Sequence, residues 1–371
     1  MDFDFSDDQQ SLRDAVRKWV DKGYDFERRR KAVKAGGFDR AAYGELADLG
    51  LAGLYIAEDH GGMGMGPVEA MVVMEELGRG MVLEPLGQTL IASGLLAGYA
   101  PAALQSAWLP RIAGGAALVV LAQVERKARY RLDVCATTAA QSGNTWTVSG
   151  AKSIVPAGDQ ADAFLVPATV KGRIAMFLVE RSAAGVTARG YGTQAGGRAA
   201  EVSFKDSPAS LVTEDGLAAL EHGVDIGIAA TCAEGVGVID KTMDVTVEYM
   251  NTRKQFGATL ASFQALRHRV ADMKMQQELA RSMSYYASLK LNAPAPERRS
   301  AMARAKYQLG VAMRFVGQNS VQLHGGIGVT DEYIGSHYFK KLTELELSFG
   351  DSLHQLGEVS ERMQDTAGVF A

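Results

Sequence analysis

Three groupings of side chains in this sequence have the composition of a chemical site. The first is a pair of carboxylates, Asp225 and Glu234, flanking Ile226-Gly-Ile-Ala-Ala-Thr-Cys-Ala233. A carboxylate among apolar residues is costly to bury unless it is paired or used, so each reads as a candidate base or as half of an ion pair. Nine residues at about 100° each set the two on opposite faces of a helix, so they cannot serve one site together. The second is Arg126-Lys-Ala-Arg-Tyr-Arg131, which suits a phosphate-bearing ligand by charge and bidentate geometry, or else a solvated surface. The third is Gln322-Leu-His-Gly-Gly-Ile-Gly328. Its glycines can stop a helix, and they can equally let a backbone approach an anionic ligand.

Other chemistries find no support. Gly61 to Gly66 is glycine-rich but fits neither the dinucleotide fingerprint nor the phosphate-cradling loop, and reads as an ordinary loop. Neither a GxSxG elbow nor an HExxH helix occurs. Two cysteines, Cys135 and Cys232, make neither a disulfide framework nor a structural zinc site, and no metal is expected.

The chain has 371 residues, 47% of them hydrophobic and 22% charged, a globular composition with ample apolar area to fold. Its net charge of -4 lacks the basic excess of a nucleic-acid binder. The acidic start, MDFDFSDDQQ, resembles neither a signal nor a transit peptide, and no apolar run reaches membrane-spanning length. A cytoplasmic protein without nucleic-acid or membrane partners is the expectation.

The elements that must position these groups change in character along the chain. Ser6 is placed to cap a helix, with Gln9 three residues on, and Leu12, Val16, Trp19 and Val20 share one helical face. Further helices are expected from Arg40 to Leu49 and from Pro67 to Gly78, where proline suits the first turn. From Ala117 to Val212 come short β-favouring runs with no helix between them, which predicts antiparallel β. After Asp215 the chain is helical, with a long buried helix from Ile226 to about Thr252. Two further helices, Phe263 to Leu291 and Ala301 to Leu323, are split by Asn292-Ala-Pro-Ala-Pro296. The expected domains are an N-terminal helical domain over 1–116, a central antiparallel β domain over 117–212 and a C-terminal helical bundle over 213–371, an α+β fold.

The string Tyr249-Met-Asn-Thr-Arg-Lys-Gln-Phe-Gly257, together with Gln322-Leu-His-Gly-Gly-Ile-Gly328, resembles the acyl-CoA dehydrogenase family. Ser149-Gly-Ala-Lys152, Phe263-Gln-Ala-Leu-Arg-His-Arg-Val-Ala-Asp272, the Glu58–Gly66 stretch and Met74-Glu-Glu-Leu-Gly78 extend the likeness over essentially the whole chain. Within the family, Glu125-Arg-Lys-Ala-Arg-Tyr130, Gly335-Ser-His-Tyr-Phe-Lys-Lys-Leu342 and Phe349-Gly-Asp-Ser-Leu-His354 are similar to the small subunit of pimeloyl-CoA dehydrogenase.

The resemblance implies FAD between a β domain and a four-helix bundle, completed by a neighbouring subunit, in a homo- or hetero-tetramer with a related large subunit. It implies α,β-dehydrogenation of an acyl-CoA, dicarboxylyl or otherwise bulky: a carboxylate takes the α-proton, and hydride leaves the β-carbon for the flavin. Electrons would pass to an electron-transfer flavoprotein. Arg253 and Phe256 match positions that meet the FAD diphosphate and adenosine, Gln322, Gly325 and Gly326 match the glycine loop beside it, and Gln264 lies near the same interface. Arg126 and Arg129 are candidates for the CoA phosphates or a second substrate carboxylate.

Departures from the family pattern fall at the flavin and at the base. Val124 and Pro156 stand where hydroxyl residues usually contact the flavin. Phe349 and Val224 stand at the two positions that carry the base glutamate, leaving Asp351, two residues beyond Phe349, and Asp225, next to Val224, as candidate catalytic carboxylates. Three readings follow: a flavin-binding subunit whose partner supplies the base, a self-sufficient dehydrogenase using Asp351 or Asp225, or a flavin oxidase of the same fold.

Overall fold

The computed structural model describes residues 5–366. In chain order the elements are α1 (Asp7–Gly23), α2 (Phe26–Lys34), α3 (Arg40–Asp48), α4 (Pro67–Arg79), α5 (Leu86–Tyr99), α6 (Ala102–Ala113), then strands β1 (Val119–Leu121), β2 (Thr138–Ser142), β3 (Thr145–Pro156), β4 (Ala163–Val170), β5 (Arg173–Glu180), β6 (Val186–Gly192) and β7 (Arg198–Thr213). There follow α7 (Gly216–Thr252), the short strands β8 (Lys254–Gln255) and β9 (Ala258–Thr259), and helices α8 (Gln264–Lys290), α9 (Ala295–His324), α10 (Ile334–Leu347) and α11 (Ser352–Thr366). This is the α+β order of helices, a central sheet and helices again. Among the described residues no helix is long and apolar enough to cross a membrane.

Local chemistry sets several of these boundaries. Ser6 accepts the Gln9 N–H while the Gln9 side chain answers the Ser6 backbone, a closed capping box at the start of α1. Pro67 opens α4, and Pro296 sits in the first turn of α9, where a missing N–H costs nothing. Helices α2, α5 and α6 have no clear sequence signal. The first is polar, and α5 is apolar almost all round, which hides the helical period.

Two compact units divide the chain, one taking the segments up to Arg29, Pro67–Val82 and from Ile228 on, the other Arg30–Gly66 and Leu83–Gly227. The second unit holds the sheet, in the order β1-β4-β2-β3-β7-β5, with β6 on β7. A further pairing of β4 with β5 closes five of these strands into a ring. Pairings are antiparallel except where β1 and β2 each meet β4. The ring encloses Val148, Phe164, Val166, Phe177, Val179, Val202 and Phe204, and Tyr43 of α3 joins the same core.

In the first unit α8, α10 and α11 pack on α9, α1 packs on α4, and α4 on α8. The approach of α4 to α7 requires glycine on both sides. A Cβ at Gly78 would lie 2.1 Å from the Glu234 carbonyl oxygen, and one at Gly237 would lie 1.9 Å from that of Glu75. Beside this seam Glu76 is buried and paired with Arg17 at 2.7 Å, and Glu75 with Arg13 at 2.9 Å. Burial outweighs the attraction of Arg13 and Arg281 and pushes the Glu75 carboxyl up to about 7.

Candidate functional site

The sequence-derived residues fall in several places, three of them in the first unit and the rest in the second. In the first unit α7 ends at Thr252 and the chain turns through β8 and β9, a hairpin whose two turn residues, Phe256 and Gly257, have φ of 53° and 78°. Two left-handed residues are what a tight primed turn needs, and a phenylalanine there is strained. Phe256 is 94% exposed, an unusual state for a large apolar ring. Its ring meets Phe263 edge-on at 6.3 Å, which ties the hairpin to the start of α8, where Gln264 is exposed. Arg253, also exposed, donates its N–H to the Tyr249 carbonyl at 2.8 Å and accepts Leu260 N–H on its own carbonyl.

The glycine loop follows α9 directly. Gly325, φ 64°, ends the helix with its N–H on the Val321 carbonyl, so the helix-stop reading of the motif holds for this residue. Gly325 and Gly326 are exposed, with open space where a Cβ would stand, whereas a Cβ at Gly328 would come within 2.9 Å of His324 Cβ. Gln322 is exposed on the last turn of α9. The motif thus divides into a packing glycine and two accessible ones.

Asp351 lies in the turn between α10 and α11. Its Oδ1 accepts the His354 N–H at 2.9 Å and its carbonyl accepts the Gln355 N–H at 3.0 Å, the geometry of a helix N-cap on α11. The turn is pinned from several sides. Phe349 and Gly350 have φ of 54° and 106°. The buried Lys306 ammonium donates to the carbonyls of Glu346 at 2.8 Å and Gly350 at 3.1 Å, Ser352 caps the Glu346 carboxylate, and Gln355 holds the Phe349 carbonyl. Burial pushes the Lys306 amine down to about 8.

The remaining candidates belong to the second unit. Asp225 is fully buried on α7, beside Val224, itself buried. Glu234, its sequence counterpart, pairs with Lys341 of α10 at 2.6 Å within the first unit and so has a structural use. Arg126 is exposed and reaches Glu201 at 3.3 Å. Arg129, exposed in a left-handed conformation, lays its guanidinium over the Tyr130 ring at 4.9 Å.

Sequence reasoning passed over the strongest electrostatic feature near Arg126. Glu125 and Lys152 form a buried ion pair at 2.7 Å, and the carboxylate also accepts Ala136 N–H, Thr137 N–H and the Thr137 hydroxyl. Burial alone would raise this carboxyl, but the Lys152 hydrogen bond and charge, with the Ala136 and Thr137 donors, hold it down to about 2. The Ser149-Gly-Ala-Lys152 string now has a reason. A Cβ at Gly150 would strike Thr137 at 2.5 Å, and Lys152 must reach Glu125. Ser153 N–H donates to the Val124 carbonyl at 2.8 Å, so the pair anchors the stretch that carries Arg126. Next along β3, Ile154 is 59% exposed with φ 53°, a β-branched residue in a left-handed position where the ladder to β7 breaks.

Comparison with known proteins gives a consistent result. Residues 6–116 match the acyl-CoA dehydrogenase N-terminal domain and residues 214–364 the acyl-CoA dehydrogenase C-terminal domain. The acyl-CoA dehydrogenase FadE27 of Mycobacterium tuberculosis is 27% identical, over 99% of this chain and all of that protein. Among solved structures, the ChsE4-ChsE5 complex from Mycobacterium tuberculosis superposes with a TM-score of 0.90 at 26% identity, covering 99% of this chain and 100% of that one. A variant of the Tcur3481-Tcur3483 steroid ACAD gives a TM-score of 0.90 at 27% identity, covering 97% and 99%.

Proposed function

The chain belongs to the acyl-CoA dehydrogenase family, FAD-dependent oxidoreductases acting on the CH–CH group of acyl-CoA thioesters, and on that premise we propose that it is the subunit of a heteromeric dehydrogenase whose partner supplies the base. The observation that carries this reading is the α10–α11 turn. By the sequence resemblance Phe349 matches the family's glutamate position, and Asp351, two residues on, spends one oxygen on capping α11. Proton abstraction depends on a carboxylate within hydrogen-bond reach of the substrate α-carbon, so position decides. The heteromeric make-up named for the ChsE4-ChsE5 and Tcur3481-Tcur3483 structures supports the same assembly.

The chain's own residues fit the dinucleotide end of FAD. Arg253 offers a charge-assisted fork to the diphosphate, and Gly325 and Gly326 leave room for a ligand at the end of α9. Phe256 offers an exposed ring to an adenine, Gln322 and Gln264 add amide donors, and FAD when bound accepts the substrate hydride. Arg126 and Arg129 are assigned to the anionic parts of the acyl-CoA. The likeness to the small subunit of pimeloyl-CoA dehydrogenase and the steroid substrate named for one relative both favour a bulky acyl group. An electron-transfer flavoprotein is the proposed acceptor, and a tetramer the proposed assembly.

A second reading, a self-sufficient enzyme, is favoured by the complete burial of Asp225 on an otherwise apolar stretch of α7. Turnover with acyl-CoA and electron-transfer flavoprotein separates the two. The purified chain alone is inactive in the first reading, and active once a related chain carrying the family glutamate is added. Activity of the chain alone, lost on Asp225→Asn, establishes the second.

A further inference from the structure

The two segments assigned to FAD come from different helix ends, α7 and α9, and a single buried residue joins them. His324, the last residue of α9 and only 4% exposed, stands directly before Gly325. Its Nδ1 lies 2.8 Å from the Ser320 carbonyl, which can only accept, so Nδ1 carries the proton and donates. Nε2 is then an acceptor, and the Tyr333 hydroxyl, 2.9 Å away at the start of α10, donates to it. Burial pushes the imidazole below its ordinary value, consistent with a neutral ring.

The same ring packs on Tyr249 of α7, with centroids 4.6 Å apart, and Tyr249 is the residue whose carbonyl holds the Arg253 N–H. One helical turn earlier the seam repeats. Thr246 gives its hydroxyl proton to Thr242, so Ser320 donates to Thr246 Oγ1 at 2.8 Å. On its other side His324 Cβ and the Val321 carbonyl oxygen, each 2.9 Å from where a Cβ at Gly328 would stand, keep that position to glycine. Movement of this ring would displace the hairpin carrying Arg253 and the loop of Gly325 and Gly326 together.

We propose that His324, clamped by Tyr249 and Tyr333, is a positioning residue that sets the Arg253 hairpin and the glycine loop in the register needed to share one diphosphate. The inference rests on the FAD assignment above. Tyr333 acts through His324 by fixing its tautomer and orientation, as an outer partner orients a ligating histidine.

The test uses FAD binding to the assembled protein. Tyr333→Phe keeps the ring and removes only the hydroxyl, leaving a buried Nε2 without its donor, so the FAD Kd rises about five- to twentyfold. Turnover at saturating FAD stays at the wild-type rate. His324→Phe keeps the stacking, loses both hydrogen bonds and weakens FAD at least as much. Tyr43→Phe is the control, removing a buried hydroxyl bonded to Thr89 at 3.0 Å in the other unit, and leaves the FAD Kd unchanged. Because the node acts through Arg253, Arg253→Ala weakens FAD by a smaller factor in the Tyr333→Phe background than in the wild type. Equal FAD affinity in Tyr333→Phe and wild type overturns the proposal, and so does equal weakening by Tyr333→Phe and Tyr43→Phe, or strict additivity with Arg253→Ala. Absence of FAD from the wild-type assembly would instead overturn the functional reading beneath it.

Discussion

Replacing Asp351 with asparagine and with alanine separates a helix cap from a catalytic base. The Asp351 carboxylate accepts the His354 N–H at 2.9 Å, and an asparagine oxygen takes that bond, so Asp351→Asn loses only the charge at the helix start and beside Lys306, about 0.3–1 kcal/mol. Alanine removes the cap and the negative charge at the helix start. Together these cost about 1–2 kcal/mol. For a chain of this size that is a fall in Tm of about 1–3 °C. The hydrogen bonds of Lys306, Ser352 and Gln355 to the Glu346, Phe349 and Gly350 groups remain in both variants, although Lys306 loses the attraction of the Asp351 charge. Thermal melts and turnover of the complex with its partner are the assays. Wild-type turnover is expected in both variants, with the larger fall in Tm in alanine. A loss of turnover of a hundredfold or more in Asp351→Asn, with FAD bound and Tm no lower than in alanine, would refute the cap reasoning and make Asp351 the base.

Arg253→Ala is expected to raise the FAD Kd at least tenfold through loss of a charge-assisted contact, and equilibrium dialysis with unchanged FAD occupancy would remove Arg253 from the site. Glu125→Gln leaves the buried Lys152 without its counter-charge and is expected to cost about 3–5 kcal/mol in denaturant unfolding; a loss below 1 kcal/mol would mean that the pair is hydrated. The Glu75 carboxyl, pushed up to about 7, binds its proton more tightly folded than unfolded, so stability falls as pH rises from about 4.5 to about 7. Glu75→Gln should flatten that part of the stability profile, and an unchanged slope would assign it to another group.

The sequence was most legible where a signal is local. The Ser6–Gln9 capping box and the proline at the head of α4 follow from residues within one turn of their effect, whereas α9 starts at Ala295 with Pro296 in its first turn, earlier than the Ala301 expected after the Pro-rich break. That Asp225 and Glu234 lie on one helix was legible too, but the salt bridge of Glu234 to Lys341 depends on how α10 packs on the bundle. The Glu125–Lys152 pair was hidden for the same reason. Glu125 reads as the edge of a basic cluster until β3 brings a buried lysine against it. His324 was masked by the glycines that follow it, since a histidine inside a glycine motif draws attention to the backbone. Helix α5 went unseen because a helix buried on nearly every side has no polar face to mark its period.

The most direct test of the account is an anaerobic single turnover, following the visible absorbance of bound flavin as acyl-CoA is added. The purified chain loaded with FAD should keep its oxidised spectrum on its own, and the same flavin should bleach once a related chain bearing the family glutamate is present. Bleaching by the chain alone would contradict the claim that its partner supplies the base.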